Sequence, residues 1–336
     1  MLLLLWENCN TGRLNLMLLA LLWILILTVS LAVLIKASDY FIESAEIIGL
    51  GLKIPRFVIG ATIIAFGTSL PELLSSIFAV IQNSSEIVIG NVIGSNVTNI
   101  FLILGVTGIL FKKFHITHKT VKNDLAILLG TAAFLGFAII DCVFSLYEGI
   151  IFVILMILYI VYVLNIKESN NESLEAPVSI KEDEEIIVAN LKTYIILLLS
   201  GIFIYIGAYY TVEAVIKLSE ILKVGKEIIA ITAVALGTSL PELMVCIAAI
   251  KKSKTEMVIG NIIGSNVFNT IAIMGVPSLI GTLKIPHDIT DIAYPAMAIA
   301  TLVLTLVIFD KKLSRTEGIL LTVYYTIFIA VLIITA

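Results

Sequence analysis

The chain has 336 residues, 60% of them hydrophobic and 14% charged, with a formal net charge of −4. At a mean hydropathy of +1.11 it cannot hide its apolar surface and still present a polar skin to water, which excludes a soluble enzyme, a nucleic-acid binder and a disordered chain. A membrane crossing needs about 20 apolar residues, so the length allows roughly ten to twelve crossings and leaves little room for a soluble domain; the net charge says nothing of partners, because most of the surface faces lipid.

Residues 1–15 fit no class cleanly. Arg13 follows the leucine run instead of preceding it, the wrong order for a cleaved signal peptide, and Met17 also opens a good span. Ten apolar segments are then predicted, at about 14–36, 56–81, 86–111, 124–140, 146–166, 192–217, 227–250, 256–282, 288–309 and 316–335. The one long hydrophilic stretch, 167–189, carries Glu168, Glu172, Glu175, Glu182, Asp183, Glu184 and Glu185 around Pro177. It reads as a solvated linker, because it lacks the turn glycine and closing bidentate Glu of a calcium loop. The expected organisation is a first half over 1–166, a linker over 167–190 and a second half over 191–336. Cys9, Cys142 and Cys246 have no metal-like spacing and read as small apolar fillers. His115, His118 and His287 fall near predicted loops.

The two halves repeat one another. Residues 62–72 (TIIAFGTSLPE) match 232–242 (TAVALGTSLPE) at eight of eleven positions. Residues 86–99 (EIVIGNVIGSNVTN) match 256–269 (EMVIGNIIGSNVFN) at eleven of fourteen. Both blocks are offset by 170, and upstream Glu43 falls on Glu213 and Lys53 on Lys223 in the same register. Five spans per copy, an odd number, would turn the second copy upside down relative to the first, the inverted-repeat plan of secondary transporters. Alternating the ten spans puts Arg13, Lys217, Lys223, Lys226 and Lys284 on one side and the other sixteen Lys and Arg on the other. Positive-inside then predicts external termini and a cytoplasmic linker in the cell membrane.

Glu72 and Glu242 lie inside apolar spans, where a carboxylate costs several kcal/mol unless something binds it. At equivalent points of inverted copies they would meet near the midplane. Pro71 and Pro241 each remove a backbone donor, and Gly67 and Gly237 loosen the same turn, so each GTSLPE segment is predicted to break its helix. A break frees carbonyls, expected at Ala65 and Thr68 and again at Ala235 and Thr238, and lipid cannot satisfy them. Carbonyls with carboxylates are hard oxygen ligands, suited to Na+ and Ca2+ over transition metals. Ser95 with Asn99, and Ser265 with Asn269, are spaced i, i+4 and share one helical face. Gly90, Gly94 and Ser95 also fit close helix packing, but buried asparagine amides need partners.

GTSLPE followed by GNVIGSNVTN, and again GTSLPE followed by GNIIGSNVFN, resembles the two α-repeats of the sodium/calcium exchanger family, within the calcium/cation antiporter superfamily. The resemblance covers nearly the whole chain, with repeats at about 56–111 and 227–282, and the short linker is like that of prokaryotic members. It implies an all-α integral membrane protein of ten transmembrane helices, built as two inverted five-helix repeats with broken helices at an ion site. It also implies a transporter and not an enzyme, with Na+ and Ca2+ as cargo, no cofactor, the bilayer as surroundings and no obligate protein partner. Glu72 and Glu242 would be the shared carboxylates. Carbonyls of Ala65, Thr68, Ala235 and Thr238 and hydroxyls of Ser69, Ser239, Ser95 and Ser265 would complete the sites, with Asn99 and Asn269 orienting the set. Some relatives carry Asp where this chain has Asn269, and in the potassium-dependent branch an Asp in this region is linked to K+ use. The expectation is therefore K+-independent, electrogenic Na+/Ca2+ antiport. Two alternatives stay open: a cation/proton antiporter of the same superfamily, although the acidic residue usual after its Gly-Asn is missing here, and a passive cation channel.

Overall fold

The computed structural model describes residues 2–51, 68–110, 114–115, 118–169, 190–251, 255–310 and 312–335. Ala65, Gly67 and most of the acidic linker lie outside them. The chain runs through α1 (Leu2–Gly51), α2 (Leu70–Ile81), α3 (Glu86–Leu110), β1 (Phe114–His115), α4 (His118–Ala138), β2 (Val143–Phe144) and α5 (Leu146–Ser169). It continues with α6 (Leu191–Leu222), α7 (226–238), α8 (Leu240–Lys251), α9 (255–278), β3 (Leu283–Lys284), α10 (Ile289–Asp310), β4 (Lys312–Leu313) and α11 (Arg315–Thr335). Among the described residues, eight helical spans are long and apolar enough to cross a membrane, the seventh of the predicted segments spanning the joint between α7 and α8. Two shorter apolar helices, Leu70–Ile81 and Asn123–Ala138, fall on the predicted second and fourth segments.

Two boundaries differ from expectation. The first helix starts at Leu2 and continues to Gly51, well beyond the predicted 14–36. No proline interrupts the sequence before Pro55, so nothing in the backbone stops the helix where Lys36 and Asp39 end the apolar run. Several hydroxyls inside the spans are satisfied by their own helices, as where Thr28 donates to the Ile24 carbonyl at 2.8 Å and Ser38 to that of Leu34 at 2.8 Å. Such back-bonding lets serine and threonine sit in apolar surroundings.

The two helices that carry the GN-x-x-GSN motifs are central. In α3 94% of the apolar window is buried and in α9 89%, against 11% in α5 and 28% in α11, so the motif helices face protein while the others present apolar side chains outward. Gly90 and Gly94 allow this packing. A Cβ at Gly90 would stand 2.6 Å from the Glu227 carbonyl oxygen, and one at Gly94 would stand 2.6 Å from Ala235 Cβ. The close-packing reading of these glycines thus holds, with α7 as the partner.

Helices α1 and α6 pack against each other antiparallel and carry a small apolar cluster, Leu34, Ala37, Ile204 and Ala208, on which Leu70, Leu74 and Phe78 of α2 also rest. The backbones nearly touch where a Cβ on Gly207 would lie 2.9 Å from Leu34 Cα, and Thr211 donates to Ser30 at 3.0 Å inside the contact. Leu34 and Ile204 are 170 residues apart, the repeat offset.

Two short antiparallel strand pairs tie loops of one half to loops of the other: β1 with β4 through Phe114 and Leu313, and β2 with β3 through Val143 and Lys284. Adding 170 to Phe114 gives Lys284, and subtracting 170 from Leu313 gives Val143. One strap is therefore the image of the other.

Candidate functional site

The site forms where the start of α2 and the joint between α7 and α8 meet the two motif helices. On the first-repeat side, Ser69 (φ −91°, ψ 10°) precedes α2, which opens with Leu70, Pro71 and Glu72. On the second, α7 ends at Thr238, Ser239 turns (φ −80°, ψ 5°) and α8 opens with Leu240, Pro241 and Glu242. Proline is at home in a first turn, where its missing N–H would have had no intrahelical acceptor. Both carboxylates therefore sit in a first helical turn, at the positive end of a helix dipole, which favours negative charge.

The carboxylates are almost wholly buried, Glu72 at 0% and Glu242 at 1% exposure. Each is held by the serine of the opposite repeat. Ser69 donates to Glu242 Oε1 at 3.1 Å, and Ser239 donates to Glu72 Oε1 at 3.4 Å. The hydroxyls of Thr68 and Ser265 also lie against the Glu242 carboxylate, and that of Thr238 against Glu72. The other carboxylate oxygen of each glutamate, Oε2, has no hydrogen-bond partner.

Those two oxygens belong to a larger group. Among the described residues, the buried side-chain polar atoms without partners are Thr68 Oγ1, Glu72 Oε2, Asn91 Oδ1, Ser95 Oγ, Asn96 Oδ1, Asn99 Oδ1, Glu242 Oε2, Asn266 Nδ2 and both amide atoms of Asn269. Every one comes from the doubled motifs. An unpaired buried polar atom costs about 1–3 kcal/mol, so such a concentration of oxygens is chemically poised to accept a cation or water. Eight of these ten atoms are oxygens, and among the described residues no group of three His, Cys, Asp or Glu could hold a metal.

Helix α3 widens into a π-helical turn over Thr98–Ile103, and α9 does so over Asn269–Ile273. These are repeat-equivalent positions, and π turns are frequent at functional sites because they leave part of the helical hydrogen bonding open. Asn99 and Asn269 stand in them, buried at 1% and 0%. Asn99 donates to Asn266 Oδ1 at 3.1 Å, joining the two motif helices.

Of the residues singled out from the sequence, the structure gathers Glu72, Glu242, Thr68, Ser69, Thr238, Ser239, Ser95, Ser265, Asn99 and Asn269 onto the broken turns and the central helices. Ala65 lies outside the described residues. Ala235 departs from expectation, because its carbonyl accepts the Ser239 N–H at 3.0 Å and the Thr238 hydroxyl at 3.4 Å. The helix closes its last turn before breaking, so that carbonyl is not freed.

Sequence reasoning passed over Asn91, Asn96, Asn261, Asn266 and Thr270. Asn91 and Asn261 donate to the backbone carbonyls of Glu72 and Glu242. Asn96 donates to Thr270 Oγ1 at 3.0 Å, bridging the copies. The available signal was the recurrence of both asparagine pairs at the 170 offset inside otherwise apolar helices. The thiol of Cys142 lies 3.6 Å from His287 Nδ1 beside the β2–β3 strap, and both Cys142 and Cys246 are unbridged.

The family profile described as sodium/calcium exchanger protein matches residues 22–165 and 192–334. The sodium/calcium exchanger MaX1 of Methanosarcina acetivorans is 34% identical, covering 92% of this chain and 97% of its own. The inner membrane protein YrbG of Escherichia coli is 28% identical over 91% of this chain and 95% of its own. Among solved structures, the sodium-calcium exchanger NCX_Mj soaked with Na+ and Sr2+ superposes with a TM-score of 0.61 at 32% identity, covering 93% of this chain and 99% of that one. A match that spans both halves, together with apolar helices of membrane length, makes this an integral membrane transporter and not an enzyme: the chain belongs to the sodium/calcium exchanger family.

Proposed function

We propose that this protein is a Na+/Ca2+ antiporter that uses the Na+ gradient to extrude Ca2+ by alternating access. The observation that carries the reading is the pair of buried glutamates, each tied through one oxygen to a serine of the other repeat and leaving its second oxygen unpaired among hydroxyl and amide oxygens. Glu72 and Glu242 bind both cargo ions. Carbonyls of Ala65, Thr68 and Thr238, hydroxyls of Ser69, Ser239, Ser95 and Ser265, and the amides of Asn99 and Asn269 complete the shells. Na+ and Ca2+ are also the ions in the names of MaX1 and NCX_Mj.

Charge counting explains obligatory exchange. Two ionised carboxylates are neutralised by one Ca2+ or by two Na+, and a third Na+ leaves a single positive charge. The empty site holds two buried negative charges, whose desolvation opposes crossing a low-dielectric barrier. The ion-loaded forms cross and the empty one does not.

The chain crosses the membrane ten times as two inverted five-helix halves, 1–166 and 191–336, joined by a cytoplasmic linker, with both termini outside. The strand pairs support this plan. With ten crossings, β1 and β4 fall on the cytoplasmic side and β2 and β3 on the outer side, so each strap joins loops that share a side. Helices α1 and α6, whose backbones nearly touch at Leu34 and Gly207, form the pair that slides over the central helices. The deciding experiment is uptake of radioactive Ca2+ into proteoliposomes with Na+, K+ or H+ gradients imposed one at a time. Uptake driven by an outward Na+ gradient alone is expected. Uptake driven only by H+, or persisting with no counter-ion, would overturn the reading in favour of a proton antiporter or a channel.

A further inference from the structure

We propose that Asn91 and Asn261 are positioning residues that aim the site glutamates by gripping their backbones, and that the grip is firm on Glu72 and loose on Glu242. The inference rests on the reading of those glutamates as the ion carboxylates and adds residues that touch no ion.

Asn91 is fully buried on the central helix α3. Its Nδ2 donates to the Glu72 carbonyl at 3.2 Å, with Ser76 Oγ at 3.2 Å and Ser75 Oγ at 3.4 Å beside it. Ser75 donates to the same Glu72 carbonyl at 3.0 Å. The first turn of α2 is thereby pinned to α3 at the residue whose side chain enters the site. A carbonyl held by an amide and a hydroxyl fixes the Cα of Glu72, and with it the origin of its carboxylate.

The second repeat keeps the amide and loses its supports. Asn261 Nδ2 donates to the Glu242 carbonyl at 3.4 Å and to Cys246 Sγ at 3.5 Å. At the 170 offset Ser76 is replaced by Cys246, a weak acceptor, and Ser75 by Val245, which has no hydroxyl. Asn261 is also only half-buried where Asn91 is enclosed. Two glutamates that look equivalent in sequence are therefore held by unequal networks.

The test measures the Ca2+ dependence of Na+-driven flux in proteoliposomes, with the thermal midpoint of each purified variant. Asn91→Ala should raise the KM for Ca2+ about fivefold or more, the equivalent of at least one net hydrogen bond, and Asn261→Ala clearly less. Cys246→Ser supplies a stronger acceptor, so Asn261→Ala made in the Cys246→Ser background should cost more than in the native one. Thr131→Val, which removes a hydroxyl bonded to the Ile127 carbonyl on the remote helix α4, controls for thermal cost and should leave KM unchanged. If Asn91→Ala lowers the midpoint and maximal flux but keeps the wild-type KM, the residue is merely structural and the proposal fails. Equal KM shifts for the two asparagine variants would overturn the asymmetry. Normal exchange by Glu72→Gln would instead sink the underlying site, a result these KM values could not imitate.

Discussion

Ser69 donates to Glu242 Oε1 at 3.1 Å across the centre of the molecule, linking the helix break of one repeat to the carboxylate of the other. Its counterpart, Ser239 to Glu72 Oε1, spans 3.4 Å. A buried hydrogen bond to a carboxylate is worth about 1.5–3 kcal/mol. Ser69→Ala should therefore weaken Ca2+ binding by roughly tenfold or more, and Ser239→Ala by less, because its bond is longer. Calorimetric titration of the two purified variants with Ca2+ checks both the size and the order.

Glu72→Gln and Glu242→Gln keep the shape of the side chain and remove its charge. Either should abolish Na+-driven Ca2+ flux while the protein still elutes and melts as a folded species, since the neutral amide removes an uncompensated buried charge. Calcium-dependent exchange at the wild-type rate by either variant would refute the site.

Exchange should ignore K+ and respond to voltage. Three Na+ against two carboxylates would move one net charge, whereas the Ca2+-loaded form moves none. One charge across 100 mV is worth about 2.3 kcal/mol, so an inside-negative potential should speed Na+ entry and Ca2+ exit. Liposomes clamped with valinomycin, beside an impermeant-cation control, make the comparison. Rates indifferent to the clamp would point to two Na+ per Ca2+.

Asn269 is fully buried with neither amide atom paired, and an acid placed there adds a third carboxylate to the proposed site. With three ionised carboxylates, Asn269→Asp leaves one uncompensated negative charge when Ca2+ binds, and a proton or K+ would relieve it. The variant's Ca2+ flux should fall from pH 6 to pH 8 relative to wild type, and K+ should restore it. Superimposable profiles with wild type would place residue 269 away from the ions.

Gly94 has no room for a side chain: a Cβ there would lie 2.6 Å from Ala235 Cβ and 2.7 Å from Ile231 Cα. Gly94→Ala should cost about 1–3 kcal/mol by forcing α3 from α7 and lower the thermal midpoint. Gly130→Ala on α4, where a Cβ meets nothing within 4 Å, should be neutral. Paired thermal melts read the difference directly.

Much of this was legible in the chain itself. Apolar runs long enough to cross a bilayer are local properties, and a motif doubled at one offset is visible in one dimension. GTSLPE announced its own helix break, because proline acts on the backbone within four residues of itself. The burial of Glu72 and Glu242 followed from a carboxylate standing in an apolar run. What the sequence could not hold were relations between residues far apart along it. That Ser69 reaches Glu242 across 173 positions, and not its neighbour Glu72, depends on how the starts of α2 and α8 are brought together. The π turns at Asn99 and Asn269 are marked by no local propensity. Asn91 and Asn96 were passed over because an asparagine in a helix is ambiguous until its amide finds a partner, and those partners, the Glu72 carbonyl and the Thr270 hydroxyl, lie on other helices. Span and repeat come from short-range chemistry. The pairing of the two glutamates' supports comes only from tertiary contact, because hydrogen bonds are decided by tenths of an ångström that only the packed helices set.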